Sequence, residues 1–298
     1  MTDTKDFFCS DLASEYEIPL IGTATRGDIW FLLEYTGAWG AKAFNESDIP
    51  QKVKSYLSGF AVDGKCIRIL LIRQDRSKPH HGIHLFVGLT SPTQPRLYEY
   101  QLNNYSEILN LDYSWLSSED ENYVAPRDEP LYLVCTNGRR DKCCARYGPN
   151  IYQQLVDEAG DAVWQSSHIG GHNQAPIMLF FPHGVNYGRA TPTEARALVR
   201  EYQKGKIVLN HYRGRVGIES HLQAAEHFWR EGTGVVDLPG MRIESVLQVD
   251  DDRWDIDVSN SQGDRVEKIQ IERRKTDFSV PITCTKKKES PIVSFHRA

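Results

Sequence analysis

The stretch from Leu131 to Arg189 constrains the fold of this chain more than any other part of it. Five of its side chains that can bind soft or borderline metal ions fall in two groups: Cys135, Cys143, Cys144, His168 and His172. Apolar runs before the first cysteine and before the first histidine predict two strands, so both groups follow strand ends. Thiolate and imidazole ligands on two such loops are typical of a metal or iron–sulfur site.

Bulk composition narrows the classes of protein. Of 298 residues, 40% are hydrophobic and 25% are charged, as in soluble globular proteins. The net charge of -5 lacks the excess of positive charge that is typical of nucleic-acid-binding proteins, so we expect no nucleic-acid partner. No apolar run approaches the roughly 20 residues of a membrane span, and no secretion signal is visible at the start. We therefore expect a cytoplasmic protein with reduced or metal-bound cysteines, three of which are isolated in sequence: Cys9, Cys66 and Cys284.

The order of predicted elements divides the chain into three parts. Residues 1–125 show a β-α-β-β pattern, and an acidic, proline-containing segment, 117–130, predicts the linker that follows. Residues 126–206 show the order β-α-β-β-β-α, with a helix from about residue 145 to 159, which indicates a thioredoxin-like unit. Residues 207–298 predict a helix and a small antiparallel sheet. The predicted class is α/β, in which the first unit is related to the second.

Several segments of the sequence resemble those of a known family. They are CTNGRRDKCCARYGP, SHIGGH and FFPHGVNYG, and the earlier GTATRGDIWFLLEYTGAWG adds to them. Over residues 7–205 the chain resembles the sucrase/ferredoxin-like family, whose metal domain is a thioredoxin-like ferredoxin. The resemblance implies a [2Fe–2S] cluster with two cysteine and two histidine ligands: Cys135, Cys144, His168 and His172. It favours Cys144 over the neighbouring Cys143 as the second thiolate.

Charge counting predicts how such a cluster would behave. Two ferric ions, two sulfides and two thiolates sum to zero if the other two ligands are neutral imidazoles, so reduction is easier than with four thiolates. The guide is the range of about -150 to +300 mV for Rieske centres, against about -400 mV for plant-type ferredoxins. Imidazoles with a free ring nitrogen also titrate. We therefore predict proton-coupled one-electron transfer, with an unidentified redox protein or reductase as the partner.

Two other functional classes stay open at this point. A Cys2His2 set also suits tetrahedral zinc, so a zinc-stabilised interaction module is the first alternative. A thiol-based oxidoreductase is the second, although the chain lacks a Cys-x-x-Cys motif and adjacent cysteines strain a disulfide. We find no pair of carboxylates suited to glycoside hydrolysis, so an electron carrier is favoured over an enzyme.

Overall fold

The structure is a computed structural model. It describes residues 7–74, 82–116, 126–260, 263, 266–284 and 289–298. Most of the predicted linker, residues 117–125, lies outside the described residues.

The main sheet is formed by nine strands of the described residues. They are β1 (Ile29–Glu34), β2 (Ile67–Arg73), β3 (Ile83–Leu89), β4 (Arg96–Leu102), β5 (Leu131–Cys135), β6 (Val163–Ser166), β7 (Ile177–Phe181), β8 (Val185–Gly188) and β9 (Tyr212–Arg215). The α-helices are α1 (Cys9–Glu15), α2 (Gln51–Gly59), α3 (Lys142–Ala159), α4 (Pro192–Gln203) and α5 (Ser220–Thr233). A second, antiparallel sheet consists of β10 (Met241–Gln248), β11 (Arg253–Asn260), β12 (Val266–Pro281) and β13 (Glu289–Arg297).

Two halves of the main sheet have the same topology. In the first half the strand order is β4-β3-β1-β2, where β2 is parallel to β1 and β3 is antiparallel to it. The second half repeats this order and these directions as β8-β7-β5-β6. This is the thioredoxin-like arrangement. The predicted α/β class is confirmed, with a thioredoxin-like domain after a related unit and a small antiparallel sheet at the end.

The two halves meet at the C-terminal ends of β2 and β6. These strands pair antiparallel over a short stretch that includes Ile72 and Ser166. The sheet curls, so that side chains from both halves enter one buried core. Within it, Trp30 of β1 packs edge-on against Phe181 of β7, with ring centroids 5.9 Å apart. Such an aromatic pair contributes about 0.5–1.5 kcal/mol beyond the area it buries.

Helix α3 begins at Lys142, three residues before the predicted start. The reason is an N-terminal cap, because the side chain of Asp141 accepts a hydrogen bond of 2.9 Å from the backbone N–H of Cys143. The expectation that both cysteines precede the helix was therefore wrong. Cys143 and Cys144 occupy its first turn, and this fixes the direction in which each side chain points.

The C-terminal third contains the predicted helix and sheet, and two strands that the sequence pattern did not indicate. One of them, β13, pairs with the long strand β12. The other, β9, lies beyond the predicted boundary at residue 206 and pairs with β8 at the edge of the main sheet. The boundaries at residues 125 and 206 stay predictions. No described helix has both the length and the apolar character needed to cross a bilayer.

Candidate metal centre

The four predicted ligands lie where β5, α3 and the loop after β6 meet. Cys135 is the last residue of β5, and Cys144 lies in the first turn of α3. His168 follows β6, and His172 opens a short 3-10 helix, 172–174. Strand β5 pairs with β6 in parallel, so the segments that leave the two strands reach the same edge of the sheet.

Three of these ligands are in direct contact. The sulfurs of Cys135 and Cys144 are 3.4 Å apart, and Nδ1 of His168 lies 3.9 Å from each of them. The three ligand atoms all lie within 4.8 Å of one another. The Nδ1 atom of His172 lies 3.3 Å from Nε2 of His168 and does not face the sulfurs. The structure therefore brings three predicted ligands together directly, and the fourth through His168.

Burial differs between the two kinds of ligand. The thiols of Cys135 and Cys144 are buried, whereas the imidazoles of His168 and His172 are only partly buried. The hydrogen bond between the sulfurs of Cys135 and Cys144 lowers the pKa of Cys135 well below its usual value, and the nearby His168 adds to this effect. The same hydrogen bond raises the pKa of Cys144. The pair ionises once readily, and a bound cation would stabilise the second thiolate.

A buried carboxylate lies on the other side of His172. The Nε2 atom of this ring is 3.6 Å from Oδ2 of Asp141, and it has no hydrogen-bond partner among the described residues. Burial lowers the pKa of the imidazole. Burial alone would raise the pKa of Asp141, but hydrogen bonds from the backbone N–H groups of Cys143 and Cys284 hold it below its usual value. A carboxylate in this place would fix the orientation of the imidazole if the ring bound a metal.

The Gly-Gly loop between the histidines needs both of its glycines. The φ angles of Gly170 and Gly171 are +120° and +72°, in the region that disfavours other residues. A Cβ on Gly170 would also collide with Oγ1 of Thr25, and one on Gly171 would collide with the guanidinium of Arg213. The two histidines therefore do not share an α-helix.

The first half of the sheet holds the start of this loop. The backbone N–H of Ser167 donates to the carbonyl of Leu71 on β2 over 2.7 Å. In return, the N–H of Leu71 donates to Oγ of Ser167 over 3.0 Å. Because Ser167 directly precedes His168, these bonds fix the backbone from which the first imidazole projects.

Arg213 on β9 is a buried cation beside the loop that sequence reasoning missed. It is 1% exposed, and it donates from Nε to Oγ1 of Thr23 over 3.0 Å and from Nη1 to the carbonyl of Gly170 over 3.4 Å. Burial, together with the charge of Arg189, lowers its pKa to about 9, which leaves it protonated at neutral pH. A fixed positive charge here would stabilise negative charge added near the loop. Its position far along the chain gave no local signal.

A second group of ligands lies next to the first. The ligand atoms of Cys9, Asp141, Cys143 and Cys284 lie within 4.8 Å of one another. Successive residues of an α-helix point about 100° apart, so Cys143 faces this group whereas Cys144 faces Cys135. Sequence reasoning treated Cys9 and Cys284 as isolated, because their contact joins opposite ends of the chain.

A family model, described as sucrase/ferredoxin-like, matches residues 20–214. The chain belongs to the sucrase/ferredoxin-like family. The predicted resemblance is thereby confirmed. This match begins before β1 and ends in β9, so the family unit includes both halves.

Curated relatives match a shorter segment. "Altered inheritance of mitochondria protein 32" of Clavispora lusitaniae is 35% identical over 99 residues, which are 30% of this chain and 36% of that protein. Its counterpart in Meyerozyma guilliermondii is 30% identical over 99 residues, which are 30% of this chain and 35% of the relative. The chain spans about a third of the length of these relatives.

A solved structure with some similarity is a cysteine-to-serine variant of the thioredoxin-like [2Fe–2S] ferredoxin from Aquifex aeolicus. It is 18% identical, with a TM-score of 0.27, and the match covers 29% of this chain and 100% of that one. The fold assignment therefore rests on strand order and direction.

Proposed function

We propose that this chain is a one-electron carrier whose ligands for a [2Fe–2S] cluster are Cys135, Cys144, His168 and His172. The observation that supports it most directly is the convergence of two buried thiols and one imidazole within 4.8 Å, with a second imidazole beside the first. Two thiolates and two imidazoles are the donor set of Rieske-type clusters, so the residues fit the group. When bound, such a cluster accepts and returns one electron.

The surrounding residues fit this role. Burial of Cys135 and Cys144 keeps water away from the sulfurs, which protects thiolate ligands from oxidation. Partial exposure of His168 and His172 leaves the imidazole side of the site open to a redox partner. The buried guanidinium of Arg213 offsets part of the negative charge that an added electron brings. An unidentified redox protein or reductase is the proposed partner.

Proton coupling is the second part of this proposal. The free side of His172 faces the carboxylate of Asp141, which can hold a proton on the ring nitrogen between them. Reduction raises the proton affinity of a ligating imidazole, so the midpoint potential should fall as the pH rises. A potential that stays flat from about pH 6 to about pH 10 would contradict the coupling.

Spectroscopy of anaerobically purified protein tests the cluster itself. We expect a red-brown protein that contains iron and acid-labile sulfide in equal amounts, with an electron paramagnetic resonance signal after reduction. A colourless protein with zinc bound at Cys135 and Cys144 would instead support a zinc-stabilised interaction module.

A thiol-based oxidoreductase is the second candidate, because Cys135 has a lowered pKa and a second sulfur only 3.4 Å away. Disulfide exchange also needs access for the attacking sulfur, and both of these sulfurs are buried. This candidate predicts disulfide reduction by metal-free protein, which Cys144→Ser would abolish.

The cytoplasm is the proposed compartment, because none of the six cysteines forms a disulfide, as expected in a reducing environment. The name of the curated relatives refers to the inheritance of mitochondria, so a mitochondrial location is the alternative. Cell fractionation distinguishes the two locations.

A further inference from the structure

We propose that Cys9, Cys143, Cys284 and Asp141 bind one Zn²⁺ ion, at a site separate from the four proposed cluster ligands. Cys9 begins α1, Cys143 lies in the first turn of α3, and Cys284 follows β12. Their ligand atoms converge within 4.8 Å, although Cys9 and Cys284 are 275 positions apart in sequence. Convergence of three thiols and a carboxylate from remote segments is a donor set that suits zinc.

The distances between the sulfurs suit a tetrahedral ion. The sulfur of Cys143 is 3.5 Å from that of Cys9 and 3.2 Å from that of Cys284, and the last two are 3.5 Å apart. Zn–S bonds of about 2.3 Å place the sulfurs of a tetrahedral site about 3.8 Å apart. Small outward movements of three side chains would therefore admit the ion. Carboxylate oxygen Oδ1 of Asp141, 3.8 Å from the Cys9 sulfur, supplies the fourth position.

A disulfide explains this arrangement less well. The S–S bond is about 2.05 Å long, so each of the three sulfur pairs is more than an ångström too far apart. A disulfide would also use two of the thiols and leave the third buried or half-buried beside it. The near-equal separations of all three sulfurs are expected when one central ion holds them.

Hydrogen bonds to the sulfurs favour bound thiolates. The backbone N–H of Ser10 donates to Cys143 over 3.4 Å, and that of Cys9 donates to Cys284 over 3.3 Å. Three thiolates can coexist here only if a cation compensates their charge.

The carboxylate of Asp141 is held rigidly enough to act as the fourth ligand. Its Oδ1 accepts from the N–H of Cys143 over 2.9 Å, and its Oδ2 accepts from the N–H of Cys284 over 3.0 Å. Each carboxylate oxygen has a second lone pair, so both bonds can persist when Oδ1 binds the ion. Three thiolates and one carboxylate carry the same formal charge as the four cysteines of a common structural zinc site.

Zinc at this position would connect α1 and the segment that follows β12 to α3, the helix that carries Cys144. Helix α1 also packs near His172, since Oγ of Ser10 donates to the carbonyl of Ala175 over 2.5 Å. Asp141 connects the zinc site to His172 on its other side. The partly exposed Cys284 provides a route for the ion to enter. The inferred role is structural support for the neighbouring redox site.

Elemental analysis of the full chain, expressed with zinc supplied, tests the site. We expect one zinc per chain in the unsubstituted protein, in Cys66→Ser and in a Cys135→Ser/Cys144→Ser variant. In Cys9→Ser/Cys284→Ser we expect zinc at background. Iron should be lost from Cys135→Ser/Cys144→Ser and retained in the unsubstituted protein, in Cys66→Ser and in Cys9→Ser/Cys284→Ser. The zinc site can therefore fail while the proposed cluster stands, and the reverse.

X-ray absorption at the zinc edge of the unsubstituted protein needs no variant to fold. We expect three sulfur ligands at about 2.3 Å and one oxygen at about 2.0 Å. Nitrogen ligands, or loss of zinc from the Cys135→Ser/Cys144→Ser variant, would place the ion at the other site. An unsubstituted protein without zinc, or one with a disulfide between any two of Cys9, Cys143 and Cys284, would overturn the inference.

Discussion

The two halves of the main sheet share a topology but place different residues at their strand ends. In the second half β5 ends in Cys135, whereas in the first half β1 ends in Glu34. The Glu34 carboxylate is buried and accepts a hydrogen bond of 2.9 Å from the N–H of His84 on β3. The corresponding position is thus a thiol in one half and part of a structural hydrogen bond in the other.

The second strands differ in the same way. In the second half β6 leads to His168, whereas in the first half β2 ends in Arg73, whose guanidinium lies 4.1 Å from the centre of the Trp39 ring. The first half instead contributes by holding the loop of the second, through Leu71 and Ser167. One topology therefore serves as support in one place and carries the proposed ligands in another, because function depends on the residues at the site.

The largest difference between the halves should appear when one cysteine in each half is replaced by serine and the iron content is compared. Cys135→Ser should reduce iron and acid-labile sulfide to background, because serine is a poor ligand for the cluster. Cys66→Ser, which changes a thiol just before β2, should keep both at the level of the unsubstituted protein. Iron and sulfide analysis of anaerobically purified protein measures this. Equal iron in the two variants would remove the distinction between the halves.

Replacing a proposed histidine ligand by cysteine should change the midpoint potential of the cluster without loss of the cluster. His168→Cys replaces a neutral imidazole by a thiolate, so we expect the midpoint potential to fall by about 100–300 mV, a fraction of the gap between Rieske and plant-type centres. Its dependence on pH should weaken as well. Redox titration followed by absorption measures both. His84→Gln, in the first half, is the control, and a shift of similar size there would contradict a ligand role that is specific to His168.

Local pattern was enough to predict most of the sheet and the group around Cys135. Apolar runs mark β5 and β6, and the cysteines and histidines lie close to their ends, so the parallel pairing of these strands determines that they meet. The capping of α3 was also readable, since Asp141 is a favoured residue before a helix. If the sequence analysis had placed the start of α3 at Lys142, it would have predicted that the side chains of Cys143 and Cys144 point in different directions.

Contacts between remote segments were not predictable in this way. Cys9 and Cys284 are in contact because β12 places the residues that follow it beside α1. The periodicity of the sequence does not predict this contact. The same holds for Arg213, which reaches the glycine loop from β9. Strand β13 was not predicted because it contains Pro291, a residue that is uncommon inside strands.

Contact between the halves can be weakened at the glycine loop. Gly170→Ala should destabilise the protein by about 2–4 kcal/mol, because alanine is strained at a φ of +120° and its Cβ would collide with Thr25 of the first half. Urea unfolding under anaerobic conditions measures the loss. Adding Thr25→Gly removes the collision but not the backbone strain, so about half of the loss should return. If the double variant regained no stability, the two halves would not be in close steric contact at this position.

A smaller difference between the halves should appear as pH-dependent stability. His183 lies between β7 and β8, and its Nδ1 is 2.7 Å from the Tyr202 hydroxyl, whereas the connection between β3 and β4 has no histidine. Burial, assisted by the charge of Arg215, lowers the pKa of His183 from an ordinary 6.5 to about 4. Between these values the unfolded chain binds more protons than the folded one, so stability should fall as the pH falls from 6.5 to 4.

After allowance for partial exposure of the ring, the contribution of His183 to this fall should be about 1–2 kcal/mol. Carboxylates also titrate in this range, so the informative quantity is the difference between the unsubstituted protein and His183→Gln. We expect urea unfolding to give a shallower slope for His183→Gln between pH 6.5 and pH 4, and equal slopes for the two proteins above pH 7.5, where the imidazole is neutral in both states. If the variant kept the full slope, the imidazole would have to be as well solvated in the folded protein as in the unfolded chain. The turn between β7 and β8 would then be no more sensitive to acid than its counterpart in the first half.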